Sequence, residues 1–177
     1  MPSPIAHFAV AALPALLAAP GSPLRSARGL AALAVASVLP DADLLLVMAL
    51  PGGIGWHHGP THSLLGSVLL GGLAGALGGL RGGALLTAAA VGATHPLLDA
   101  LVGEPGASRA YGVPLFWPLS GEKYISPWPL FMPYRIDEPG FLANMLSPRA
   151  VAPYLREVVF AAVVGAAGVA GRFVRGR

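Results

Sequence analysis

The strongest constraint on this chain is a series of long apolar segments that carry almost no charged residues. Of the 177 residues, 55% are hydrophobic and only 11% are charged, whereas soluble globular domains carry about 25% charged residues. Apolar segments of about 20 residues are typical of helices that cross a membrane. The sequence therefore predicts one integral-membrane domain, residues 1–177, folded as an all-α polytopic transmembrane helical bundle of about five spans. The predicted spans are 5–19, 29–50, 62–80, 84–101 and 154–171.

The first apolar segment, 5–19, is short for a span, and a cleaved signal peptide is the alternative interpretation. A signal peptide has a basic stretch before its apolar core. Here His7 stands in that place and no basic stretch precedes it. We therefore expect the segment to be the first membrane helix.

Basic residues in the short connections indicate the orientation, because such residues concentrate on the cytoplasmic side. Arg25 and Arg28 lie between the first two spans, Arg81 lies between the third and fourth, and three arginines follow the fifth. With five spans, these positions share one face. We predict a protein integral to a prokaryotic-type plasma (inner) membrane, with the N-terminus outside and the C-terminus in the cytoplasm.

The connection 102–153 is long, rich in proline and aromatic residues, and balanced in charge. Trp and Tyr are enriched where a membrane meets water. We therefore predict a long extracytoplasmic loop, in which residues 103–133 cover the functional site. We expect an interfacial aromatic cap made of Tyr111, Trp117, Tyr124, Trp128 and Phe131.

Histidine and aspartate interrupt the apolar pattern at four places, all near the predicted outer ends of spans. Asp41 and Asp43 follow Pro40, and His95 and Asp99 are four residues apart. If a helix covers or begins in segment 56–63, the same spacing would put His58 and His62 on one side of it. Four separate segments thus bring ligand-type residues to one leaflet. These residues are His7, Asp41, Asp43, His57, His58, His62, His95 and Asp99.

A divalent cation explains why ionisable side chains lie in apolar segments, where an uncompensated charge costs several kcal/mol. The chain has no cysteine, so any metal must be held by histidine and carboxylate, which suits zinc first, and also manganese or iron. We predict one or two ions. The predicted ligands are His7, Asp41, Asp43, His58, His62, His95 and Asp99.

Simpler roles compete at several of these positions. His7 and His57 could be histidines that are hydrogen-bonded at helix ends, and Asp41 could cap the turn after Pro40. Thr61 and Ser63 are better explained as caps or as donors to the ligands than as nucleophiles.

Two further patterns have structural explanations. Gly71, Gly75 and Gly79 recur at four-residue intervals, which favours close helix packing. The sequence pI is about 9.8, but the net charge is only +3 and the arginines lie where membrane topology places them. We therefore expect no nucleic-acid partner.

The ordered motifs resemble a known family. The segments 39–43 (LPDAD), 58–63 (HGPTHS), 95–99 (HPLLD) and 114–120 (PLFWPLS) are similar to those of the predicted membrane-bound metal-dependent hydrolases of the YdjM type. His7 matches that family's early histidine, so the resemblance extends from His7 to about Ser120. The family commonly has His-Arg before the second motif, and His57-His58 stands there instead, so either histidine could be the ligand. The order of ligands is also distantly similar to zinc-dependent phospholipase C and the P1-type nucleases, although no histidine follows His95 to complete a three-metal cluster.

The resemblance implies a hydrolase, for which the predicted catalytic residues are Asp41, His62, His95 and Asp99. We expect a metal-bound hydroxide to attack a phosphoester, or a related ester, of a lipid-like substrate among the membrane lipids of the outer leaflet. The alternative is a non-catalytic membrane protein that binds or conducts a metal ion or protons. A conduit requires polar residues on the cytoplasmic side as well, and the inner halves of the spans are almost purely Ala, Leu, Val and Gly.

Overall fold

Serine residues start three of the helices in the computed structural model, which describes residues 2–45, 57–103, 112–134 and 145–175. The hydroxyls of Ser3, Ser26 and Ser63 accept hydrogen bonds from the backbone N–H of Ile5, Gly29 and Gly66. Each bond satisfies a donor that the first helical turn leaves without a partner. The described residues form five α-helices. These are α1 (Pro4–Leu17), α2 (Ala27–Val38), α3 (Leu64–Leu77), α4 (Gly82–Ala100) and α5 (Val151–Arg175).

Short 3-10 turns connect or extend these helices, at Pro23–Arg25, Leu39–Ala42, Pro60–His62 and Pro148–Ala150. The sheet-type contacts found in the described ranges are two isolated bridges, Val102 with Phe131 and Val113 with Tyr124. No strand forms in those ranges, and the prediction of an all-α protein is confirmed.

Proline decides where the helices near the polar motifs end and begin. The interruption predicted at Pro40 is present: α2 ends at Val38, and a 3-10 turn carries Asp41. At the other motif, Pro60 opens a 3-10 turn and Ser63 caps α3, so the helix begins at Leu64 and not at His62. The helical spacing considered for His58 and His62 is therefore wrong, because both residues precede the helix.

Small residues let α3 and α4 approach each other closely. A Cβ atom built on Gly71 would lie 2.6 Å from the carbonyl oxygen of Ala88, and one on Gly92 would lie 2.2 Å from that of Ser67. Gly75 also faces α4, so helix packing is confirmed for two of the three glycines. Gly79 has no such neighbour; with a φ of +77° it lies in the turn after α3, a conformation that glycine adopts at little cost.

The remaining helices pack around this pair, with α1 against α5 and α2, and α2 against both α3 and α4. Alanine dominates the core between them, as at Ala11, Ala32, Ala36 and Ala88. A second apolar cluster contains Ala6, Leu98, Val102 and Phe131. This cluster lies beside the polar ends of α1 and α4.

One described helical segment, Pro148–Val174, is long and apolar enough to cross a membrane by length and composition. It is longer than the predicted fifth span, 154–171. The helices α1 and α3 are apolar but have 14 residues each, about 21 Å at 1.5 Å per residue. The hydrocarbon core of a bilayer is about 30 Å thick. The five-span arrangement therefore remains a prediction.

Residues 112–134 run from the start of α3 to the end of α4. Leu64 donates its N–H to Leu115 at 3.0 Å, and Ser126 donates to Ala100 at 2.7 Å. Leu119 is 93% exposed and Trp128 is 83% exposed, whereas Phe131 is buried against Phe160 of α5. The expectation that Phe131 belongs to an interfacial aromatic cap is therefore wrong, because it fills the core. Tyr111 and residues 104–110 lie outside the described part of the chain.

Candidate metal centre

Four elements place histidine and aspartate side chains in one buried cluster. His7 comes from α1, Asp41 from the turn after α2, and His62 from the turn before α3. His95 and Asp99 come from one face of α4. The three histidines are 0% exposed and Asp99 is 3% exposed. The convergence expected for these five residues is present.

Asp41 lies between two imidazoles. Its Oδ1 is 3.2 Å from Nε2 of His62 and 3.4 Å from Nε2 of His95. On the other side, Oδ2 of Asp99 is 3.6 Å from Nε2 of His62 and 3.2 Å from Nε2 of His95. Two carboxylates and two imidazole nitrogens therefore face a common point. Asp41 does not cap its own 3-10 turn, which has no side-chain cap.

The ring of His95 is held by a backbone carbonyl. Its Nδ1 lies 2.7 Å from the carbonyl oxygen of Ser37 in α2, and because a carbonyl can only accept, Nδ1 carries the proton. The neutral ring then has its lone pair on Nε2, the atom that faces Asp41 and Asp99. This is the usual arrangement of a histidine that binds a metal.

Sequence analysis did not identify Ser37, but a signal was present. Pro40 ends α2, and the last carbonyls of a helix have no partner within the helix. One of them was therefore free to orient a ligand.

His7 completes the cluster from α1. Its ring stacks on that of His95, with centroids 4.3 Å apart and an interplanar angle of 19°. Its Nε2 lies 3.7 Å from Oδ1 of Asp99. A role as a histidine satisfied by hydrogen bonds does not describe it, because neither of its ring nitrogens has a hydrogen-bond partner in the described residues.

Several atoms that face the centre have incomplete hydrogen bonding, whereas Nε2 of His62 and Oδ1 of Asp41 are within hydrogen-bond distance of each other at 3.2 Å. Nε2 of His95 and both carboxylate oxygens of Asp99 are buried without a hydrogen-bond partner among the residues described. More than about 90% of buried polar groups in proteins have such a partner. Two sets of three ligand atoms, each set within 4.8 Å, could hold a metal: His7, His95 and Asp99, and Asp41, His62 and His95. This donor set fits a divalent cation, which would neutralise carboxylates and use imidazole lone pairs.

Asp43 lies behind His62, away from Asp41 and Asp99. Its Oδ1 is 2.8 Å from Nδ1 of His57, and its Oδ2 accepts a hydrogen bond from Oγ1 of Thr61 at 2.7 Å. The same Oδ2 is 3.2 Å from Nδ1 of His62. Thr61 thus donates to a residue of the site, as the sequence suggested.

His58 has an unusual backbone conformation, with a φ of +57°, which costs an L-residue about 1–2 kcal/mol. Its Nε2 is buried and lacks a hydrogen-bond partner in the described structure. Burial lowers the pKa of His58 to about 3, so the ring is neutral and able to bind a cation. The rings of His57 and His58 lie 4.7 Å and 4.8 Å from that of His62. These three histidines form a further set that could hold a metal.

A carboxylate that sequence analysis missed anchors α1 beside the site. Glu157 of α5 is 1% exposed. It accepts hydrogen bonds from the N–H and hydroxyl of Ser3, at 2.8 and 2.6 Å, and from the N–H of Ala6 at 3.2 Å. Burial and the Glu157 carboxylate raise the pKa of nearby Tyr134, so its phenol keeps its proton. An acidic residue within a long apolar helix was a signal that could have identified Glu157.

The comparison with family models decides the family. The model of the YdjM inner membrane proteins matches residues 1–176. The chain belongs to the YdjM family. Comparison with curated proteins and with solved structures gave no significant match. The distant similarity to phospholipase C and P1 nuclease therefore stays a prediction.

Membership of the YdjM family and the candidate span agree on a membrane location. The family is one of inner membrane proteins, and segment Pro148–Val174 could cross a bilayer. The histidines and aspartates of the motifs that suggested the resemblance are also those that meet in or beside the buried cluster. The protein is therefore an inner-membrane family member with clustered histidine and aspartate side chains that could bind a metal.

Proposed function

We propose that this YdjM family member is a membrane-embedded metal-dependent hydrolase that cleaves a phosphoester, or a related ester, in a lipid-like substrate. The observation that carries this proposal is the set of buried ligand atoms that separate elements direct at one point, of which those of His95 and Asp99 have no hydrogen-bond partner in the described residues. Four residues would hold the ion directly, and His7 would add a fifth donor. The four are Asp41, His62, His95 and Asp99.

A divalent ion in such a set supplies Lewis acidity and lowers the pKa of a coordinated water toward 7. Zinc suits the donors best, and manganese or iron would also be accepted. The carboxylates of Asp41 and Asp99 hold two negative charges beside the ligand point. The carbonyl of Ser37 keeps the His95 lone pair directed at it. His58, neutral and close to His62, is placed to bind a second ion.

The loop beside the site, residues 112–134, supports a membrane substrate. Residues 112–134 form hydrogen bonds with Leu64, the first residue of α3, and with Ala100, which follows Asp99 in α4. This loop exposes Leu119 and Trp128, side chains that favour the apolar and interfacial regions of a bilayer. An amphiphile whose head group reaches the cluster would keep its acyl chains in the membrane. The arginine-bearing connections support the outer leaflet, five crossings and a cytoplasmic C-terminus.

Hydrolysis by the purified protein tests this proposal. Protein in mild detergent is loaded with zinc or manganese and given phospholipids and a generic phosphodiester. We expect wild-type protein and the Thr87→Ala variant to release product, because Thr87 is partly exposed and its hydroxyl donates to the carbonyl of Gly83 within α4. His95→Ala and Asp99→Asn should lose at least about 100-fold in rate, as expected when catalysis by a metal is removed. Equal rates in all four proteins would contradict the proposal.

A structural ion is the second candidate, and the burial of the site favours it. His7, His62 and His95 are all 0% exposed, so an ion held there could tie four elements together without turnover. A protein that binds metal stoichiometrically, loses stability when the metal is chelated and hydrolyses none of the esters would support this candidate. A conduit for ions or protons is less well supported, since the cluster lies at one end of α4.

A further inference from the structure

Asp43 differs from the other two aspartates in how its oxygens are used. Oδ1 lies 2.8 Å from Nδ1 of His57, and Oδ2 receives the hydroxyl of Thr61 at 2.7 Å. Neither oxygen of Asp99, in contrast, has a hydrogen-bond partner in the described residues. An aspartate whose two oxygens already accept strong hydrogen bonds is poorly suited to bind a metal, whereas Asp99 is well suited to do so.

The two nitrogens of His62 face opposite carboxylates. Nε2 is 3.2 Å from Oδ1 of Asp41, and Nδ1 is 3.2 Å from Oδ2 of Asp43. If Nδ1 donates its proton to Asp43, the lone pair of the neutral ring is on Nε2 and points toward Asp41. The proton of Thr61 does not compete for this position, because it goes to Asp43 over the shorter distance and leaves the Thr61 oxygen as an acceptor, 3.1 Å from Nδ1 of His62.

His95 shows the same arrangement with a different acceptor. Its Nδ1 donates to the carbonyl of Ser37 at 2.7 Å, and its Nε2 faces Asp41 and Asp99. Two histidines of the cluster therefore present Nε2 to the same point, and each has its Nδ1 facing an oxygen acceptor. The acceptor is a backbone carbonyl for one ring and a carboxylate for the other.

We propose that Asp43 is a positioning residue that fixes the tautomer and the ring orientation of His62, and is not itself a metal ligand. Through its other oxygen it also holds the ring of His57 beside His62. This inference rests on the proposed metal centre. It removes Asp43 from the set of metal ligands that the sequence suggested. The two aspartates of LPDAD then have different functions: Asp41 binds the metal ion, and Asp43 orients the ring of His62.

Substitution by asparagine separates the two roles. An Asn at position 43 has one acceptor oxygen and one NH₂ group, so it cannot accept hydrogen bonds at both of the positions where Asp43 does. The His62 ring would lose part of its preference for the tautomer with Nε2 free. Loss of such a supporting acceptor typically lowers metal affinity 10- to 100-fold, without changing which atoms bind the ion.

The experiment is titration of detergent-purified protein with Co²⁺, followed by its visible absorption, and competition with Zn²⁺ for the dissociation constant. For Asp43→Asn we expect the wild-type stoichiometry and the wild-type Co²⁺ spectrum, with Kd raised about 10- to 100-fold. Asp41→Asn should change the spectrum or abolish binding. Thr61→Val removes the hydroxyl that holds Asp43, so it should raise Kd in the same direction as Asp43→Asn but by a smaller factor.

An Asp43→Asn variant whose spectrum changes as that of Asp41→Asn does, or whose Kd equals that of wild type, would overturn the positioning role. If Asp43→Asn fails to fold by circular dichroism, the spectrum and Kd of Thr61→Val decide in the same way. These results are distinct from failure of the proposed function. Wild-type protein that binds no Co²⁺ would contradict the metal centre itself, and wild-type protein that binds it without hydrolysing any ester would contradict only the hydrolase.

Discussion

Gly92 brings the backbone of α4 against that of α3, one turn before His95. A Cβ atom at this position would lie 2.2 Å from the carbonyl oxygen of Ser67 and 2.9 Å from Cα of Gly71. Real Cβ atoms essentially never lie within 3.0 Å of such an atom, so Gly92→Ala requires the two helices to separate by about 1 Å. Overpacking of this type costs about 1–3 kcal/mol.

The same displacement would reach the site. Ser67 donates its hydroxyl to the carbonyl of Thr61 at 2.8 Å, so a shift of α3 moves the turn that carries His62. We therefore expect Gly92→Ala to weaken metal binding as well as stability. For a chain of this length, each kcal/mol corresponds to about 2–4 °C in Tm, and the expected loss is roughly 2–12 °C.

Thermal unfolding in mild detergent, followed by circular dichroism at fixed protein and zinc concentrations, measures this effect. Gly165→Ala is the matched control, because a Cβ at Gly165 of α5 meets nothing within 4 Å and alanine favours a helix. Its Tm should equal or exceed that of wild type. A Gly92→Ala variant with a Tm as high as that of Gly165→Ala would refute the close backbone contact between α3 and α4.

Two further predictions concern α1 and the topology. Glu157→Gln should destabilise the protein by about 1.5–3 kcal/mol, because a hydrogen bond to a charged group contributes about that much and the carboxylate accepts from both Ser3 and Ala6. Thermal unfolding measures this loss, with the variant Arg156→Gln at the exposed neighbouring position as the control. Equal Tm values for the two variants would contradict the role of Glu157 in anchoring α1. Since the chain has no cysteine, single cysteines introduced at the exposed positions Leu119 and Gly83 report on which side of the membrane each position lies. A membrane-impermeant maleimide should label Leu119→Cys in intact cells and Gly83→Cys only after lysis. The reverse labelling pattern would rule out the predicted orientation.

The helices were predictable from the sequence where apolar runs ended at clear signals. Segment 84–101 corresponds to α4 (Gly82–Ala100), and 5–19 corresponds to α1 (Pro4–Leu17). The start of α3 was placed too early, because the apolar pattern continues across His62 while Pro60 and Ser63 set the local backbone. Local capping chemistry thus overrode the hydrophobic pattern.

The members of the site were predictable, but their separate roles were not. Ionisable residues in apolar segments identified the cluster, and the spacing of His95 and Asp99 placed both on one helix face. Which oxygen of Asp43 meets which donor depends on a 3-10 turn and on loop geometry, which no residue pattern encodes. The carbonyl of Ser37 was equally invisible to an inventory of side chains.

Metal content is the most direct measurement of the central claim, that these separated histidines and aspartates form one metal-binding centre. Protein purified in mild detergent and freed of loosely bound ions is analysed by elemental mass spectrometry, together with His95→Ala, Asp99→Asn and the α4 control Thr87→Ala. We predict at least one equivalent of a divalent metal in wild type and in Thr87→Ala, and a several-fold lower content in the other two variants. Metal-free wild-type protein, or the same metal content in all four proteins, would contradict the account.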